Sequence, residues 1–154
     1  MITDTAMRPA CSAYPLPDRL TPVLARVLAY WEGLKRGSAD IPFWDDVRLT
    51  DLPDINTNLA VVDVFAAPER FRYSIVGEAL TDGQPGDVAG RFLDETELAA
   101  PLDYMRAQCA AAVESAAPTY VAGKGGGARG YGRLVLPLWG EGQIRMLLAA
   151  VERL

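Results

Sequence analysis

Not one of the 154 residues is histidine. That absence removes the Ser-His-Asp and Cys-His catalytic sets, zinc sites built on histidine, histidine-ligated haem and a phosphorylated histidine. Acid–base chemistry would have to proceed without the side chain that titrates nearest neutrality. Cysteine is almost as scarce. Cys11 and Cys109 cannot make a disulfide framework, which points to a reducing, cytoplasmic setting. No run of about 18 apolar residues is present to cross a membrane. The opening residues, MITDTAMRPACSAYPLPD, lack the apolar centre of a signal peptide. Basic excess is missing too: 15 Lys and Arg face 20 Asp and Glu, a net charge of −5. A nucleic-acid backbone and an anionic membrane surface are therefore not expected partners.

What is present is half hydrophobic, enough for one core in a chain of single-domain length. Residues 1–17 carry three prolines and little pattern, and read as a mobile arm. Thr21-Pro22 is a helix start, a capping hydroxyl followed by proline. Leu20, Val23, Leu24, Val27, Leu28, Trp31 and Leu34 then recur at spacings of three and four, and Gly37 is a stop. This predicts an amphipathic helix over 22–36, within an N-terminal unit 18–37 ahead of a main domain 38–154. Its stripe either packs on its own domain or, through Val27, Leu28, Trp31 and Leu34, pairs with a second chain in a homodimer.

Residues 38–58 read as a long connection with one helical turn around Trp44 to Leu49. LAVVDVF (59–65) is a buried strand by composition. After a turn at 66–70, FRYSIVG (71–77) alternates, with Phe71, Tyr73 and Ile75 expected on one face. Residues 78–100, broken by glycine and proline, fit only short helical turns. A helix is expected over 101–118, between two prolines, with Leu102, Met105, Cys109 and Val113 on one face. Strands are expected at 119–123, 132–140 and 143–154. Leu134, Leu136 and Leu138 should share one face, and so should Ile144, Met146 and Leu148; Pro137 marks an edge or a bulge.

GKGGGARGYG (123–132) invites a phosphate-binding reading. A phosphate loop needs Ser or Thr after the lysine and a helix downstream. Lys124 is followed by glycine, and a strand comes next, so the glycines serve a loose hairpin. Lys124 and Arg129 are then solvated loop charges.

Strands joined by short turns must be antiparallel. The elements therefore describe an α+β domain: a five-stranded antiparallel sheet, short helices and one long crossover helix, preceded by the N-terminal helix. This order, with YWEGLKRG (30–37), LAVVDVF (59–65), FRYSIVGEAL (71–80), GDVAGRFLDE (86–95) and RLVLPLWGEGQIRMLLAAV (133–151), resembles a PAS domain. It resembles more closely a bacterial family of small stand-alone PAS-like proteins. Glu78 departs from the threonine that family tends to carry after the Val-Gly pair, and the connection near SADIPFWDD matches loosely. The resemblance implies a sensory or signalling module, not an enzyme, often dimeric. It also implies a small-ligand pocket between sheet and long helix, or a protein signalling partner.

The candidate lining of such a pocket is Tyr73, Ile75, Met105, Cys109, Leu136 and Leu138, with Tyr73 as its polar handle. A core filled by these same side chains would instead make a pure interaction and dimerisation module. Flavin-binding light sensors carry a reactive cysteine before Arg-Phe-Leu; here Gly90 precedes Arg91-Phe92-Leu93, which excludes a covalent flavin. Arg91 is either a turn ion pair or an anion clamp. Haem would need Cys109 or Met105 as axial ligand, and a helix-face cysteine is ordinarily a small hydrophobe, so no haem is expected. A cone-type α+β enzyme would need a buried carboxylate base, and the acids here, Asp94 and Glu95 among them, read as turn residues.

Overall fold

In the computed structural model, residues 14–124 and 130–154 are described. Cys11, most of the expected arm, and residues 125–129 of the glycine stretch, Arg129 among them, lie outside them. The alternating and apolar runs form five strands: β1 (Leu59–Ala66), β2 (Glu69–Val76), β3 (Thr119–Lys124), β4 (Gly130–Gly140) and β5 (Gln143–Arg153). All pair antiparallel, in the order β2-β1-β5-β4-β3. The β4–β5 hairpin turns at Glu141-Gly142, both with positive φ (53° and 79°). That geometry matches the right-handed twist of the flanking strands and explains the glycine. Lys124 pairs with Gly130, so β3 and β4 also form a hairpin. Tyr14, near the end of the expected arm, accepts a hydrogen bond from the Tyr120 N–H at the β3 edge (3.2 Å).

Among the described residues three helices flank the sheet: α1 (Pro22–Gly33), the single turn α2 (Glu78–Thr81) and α3 (Met105–Ser115). The 38–58 connection holds three 3-10 turns, Trp44–Asp46, Leu49–Asp51 and Asn56–Asn58. The helix expected over 101–118 is shorter because Tyr104 and Ala116, both at positive φ, bound it. Among the described residues no helix is long and apolar enough to cross a membrane.

The sheet carries an apolar layer on each face. On one, Val62, Val64, Phe71, Tyr73, Val135 and Leu147 meet Leu102, Met105, Cys109 and Ala112. On the other, Leu134, Leu136, Leu138 and Leu148 meet Leu24, Val27 and Trp31 of α1. Burying Trp31 against strands contributes about 2–3 kcal/mol. Its indole N–H also donates to the Pro137 carbonyl at 2.9 Å. The stripe thus packs on its own domain. Val27 and Trp31 are buried there, which corrects their expected place on a surface open to a second chain; Leu28 and Leu34, half-buried, flank them.

Two further expectations are corrected by bulges. In β1–β2, Val61 pairs with Ile75 and Val62 with Tyr73, leaving Ser74 as an extra residue. A bulge breaks the two-residue alternation. Ile75 therefore turns to the α1 side, 49% exposed, and Val76 packs on the α3 side in its place. In β4–β5, Leu138 pairs with Met146 and Trp139 with Ile144, leaving Arg145 over. Ile144 joins the α3 layer while Met146 and Leu148 stay in the α1 layer. Pro137 lies between the last β3 partner of β4, Val135, and Trp139, whose N–H donates to the Pro42 carbonyl (2.8 Å), so its missing N–H breaks no β3–β4 pairing.

Candidate binding site beneath α3

The six expected pocket residues do not line one cavity. Tyr73, Met105 and Cys109 share the α3 layer. Leu136 and Leu138 lie in the α1 layer, because even-numbered positions of β4 face that way. Ile75 left with the bulge. Leu138 and Ile75 instead border a shallow outer groove with Trp44, Val47, Val61 and Met146. Arg91 is exposed, and among the described residues its side chain makes no hydrogen bond or ion pair. Its backbone serves the sheet: the Arg91 carbonyl accepts from the Tyr73 N–H (3.0 Å), and the Gly90 N–H donates to the Tyr73 carbonyl (2.7 Å). Arg91 does not line the cavity described next.

A cavity of about 410 Å³ lies between the α3 face of the sheet and residues 93–106. Leu93, Leu98, Leu102 and Met105 give it apolar walls, and Tyr73 and Asp103 also line it. Glu97, Tyr104 and Arg106 stand at its exposed lip. Tyr104 is 87% exposed and holds φ at 53° at the start of α3. A bulky residue in the left-handed region is uncommon and costs about 1–3 kcal/mol, a signature that gathers at binding sites.

Tyr73 is fully buried, and among the described residues its hydroxyl has no hydrogen-bond partner. Buried polar groups are almost always paired, and an unpaired one costs about 1–3 kcal/mol. Burial holds the phenol in its protonated form, with a further push from Cys109 and an opposing pull from Arg133. Cys109, also fully buried, has its thiol pushed up to about 12 by desolvation. It is inert at neutral pH, since the thiolate is the reactive form.

Behind this wall sits a charge that sequence reasoning missed. Arg133 on β4 is 1% exposed. Its Nε donates to Gln108 Oε1 (2.7 Å), and NH1 donates to the carbonyls of Pro101 (2.8 Å) and Asp103 (2.8 Å). Gln108 in turn donates to the carbonyls of Thr119 (3.2 Å) and Arg133 (3.1 Å). The nearest carboxylate oxygen, Asp103 Oδ1, is 3.9 Å away and also accepts from the Tyr131 hydroxyl. One guanidinium thus ties β4, α3 and the cavity segment 101–103 together. Its trace in the sequence is a charge inside GRLVLPLWG, at the same parity as the inward Tyr131 and Val135. Asp94 and Glu95, expected as solvated turn acids, pair with Arg70 at 2.8 and 3.1 Å; the guanidinium also lies 3.8 Å over the Phe92 ring. This exposed pairing lowers the Asp94 pKa and anchors the segment that enters the cavity wall at Leu93.

Among the described residues no cluster of three His, Cys, Asp or Glu side chains could hold a metal ion. Comparison with family models, with curated proteins and with solved structures found no match for the chain.

Proposed function

We propose that the chain is a PAS-like sensory module that binds a small organic ligand in the cavity beneath α3, without catalysing its conversion. The observation that carries this reading is Tyr73, which borders a cavity of about 410 Å³ and whose fully buried hydroxyl has no partner among the described residues. A group that destabilises the empty protein is accounted for if a bound molecule completes it. The five-stranded antiparallel sheet, with α3 on the connection between β2 and β3, supports the PAS-like part. Output in this reading passes to a protein signalling partner.

Native mass spectrometry of freshly purified protein tests it. A retained small molecule, lost or reduced in Tyr73→Phe, is the expected result. Wild-type protein that is bare, and stays bare after exposure to cell extract metabolites, would remove the sensory reading and favour a pure interaction module.

A further inference from the structure

Resting on the ligand-binding reading above, the wall chemistry narrows the class of ligand. We propose that the cavity takes a small, uncharged molecule with an amide-like head, an N–H beside a C=O, read jointly by Tyr73 and Asp103. The hydroxyl of Tyr73 can both donate and accept. It is fully buried and, among the described residues, bonded to nothing. Asp103 also lines the cavity, with its side chain 25% exposed. Its Oδ1 is occupied by the Tyr131 hydroxyl and faces Arg133 at 3.9 Å. Among the described residues Oδ2 has no donor, and an ionised carboxylate only accepts. The site therefore offers one acceptor and one group of either sense. A primary amide or a lactam presents the complementary pair on a single edge.

Charge argues for a neutral head. The acids of the lining are Glu97 and Asp103; Arg106 shares the lining, and Arg133 stands directly behind Asp103. Two guanidiniums set against two carboxylates leave the lining with no net charge to stabilise an ion beside a buried phenol. Taking an isolated charge into such a place is costly. The rest of the wall, Leu93, Leu98, Leu102 and Met105, asks only for an apolar body.

The test is a titration of the ¹⁵N-labelled full chain with four one-ring probes of similar shape: benzamide, toluene, benzoate and benzylamine. Benzamide should shift the amides of Tyr73 and of residues 93–106, and bind about ten-fold more tightly than the other three. Tyr73→Phe should still bind toluene while losing most of the benzamide preference. Benzoate, benzylamine or toluene matching benzamide would overturn the amide assignment and leave the cavity as a ligand site. The same holds if the preference survives intact in Tyr73→Phe. If none of the four perturbs residues 93–106, the ligand-binding reading falls and the assignment falls with it.

Discussion

At the scale of single residues, the Tyr73 hydroxyl is a fully buried group that does not repay its burial. Replacing Tyr73 by Phe removes an orphaned hydroxyl and keeps the ring. The expected outcome is a ligand-free protein more stable by about 1 kcal/mol, read as a rise in the denaturation midpoint at unchanged m-value. A fall would mean that the hydroxyl is satisfied in solution. Cys109 sits in the same layer and yields a pH prediction. Its folded pKa, about 12, is above the ordinary thiol value of 9.0. Below pH 9 both folded and unfolded chains hold the proton, and stability is unaffected. Between pH 9 and 12 only the unfolded chain releases it, so stability falls as pH rises. The loss approaches about 1.4 kcal/mol per pH unit from this one group. Stability curves of Cys109→Ala should be lower everywhere, because of the cavity left behind, but shallower across that window. Equal slopes would remove the burial argument.

At the scale of elements, periodicity in the sequence identified each strand, α1 and α3, and the face that α1 buries. The failures came from bulges. Nothing in FRYSIVG announces that Ser74 is supernumerary, because a bulge arises from the pairing of two strands and not from the residues of one. Ile75 was therefore assigned to the wrong side. Leu136 and Leu138 failed for a different reason: their shared parity was legible, but which face looked toward α3 was not. That was decided by α1, whose leucines and Trp31 claim the even positions of β4. Residues 96–100 of the cavity segment have almost no periodic signal, and 101–104 read as part of a helix that in fact begins at Met105, so Asp103 was missed. Two substitutions test the joints between elements. A Cβ at Gly77 would collide with the Thr57 carbonyl and crowd the Asn56 carbonyl at 2.9 Å, backbone that cannot step aside. Gly77→Ala should cost about 2–3 kcal/mol in chemical denaturation; a neutral result would show that the β2–α2 joint is looser than described. Arg133→Ala strands Gln108 and the Pro101 and Asp103 carbonyls without their donor. A loss of about 3 kcal/mol or more is expected, with accelerated amide exchange in residues 99–106 before the rest of the sheet. Uniform exchange would count against a local tether.

At the scale of the whole molecule, the sheet is covered on both faces by segments of the same chain. The aromatic that most resembled a dimer anchor belongs to that intramolecular cover. Trp31→Ala should therefore cost about 3–5 kcal/mol of folding stability and leave the sedimentation coefficient of the remaining folded protein unchanged. A shift in oligomeric state at constant stability would restore an intermolecular role for α1. The two covers also share a strand. Along β4, Tyr131, Arg133 and Val135 look toward α3, and Leu134, Leu136 and Leu138 look toward α1. No flexible joint separates the two sets; consecutive residues belong to opposite sides of a ribbon one peptide thick. Whatever tilts that ribbon from beneath α3 must also disturb the seat of the N-terminal helix, so occupancy of the interior would be legible on the far exterior without any relay of intervening parts.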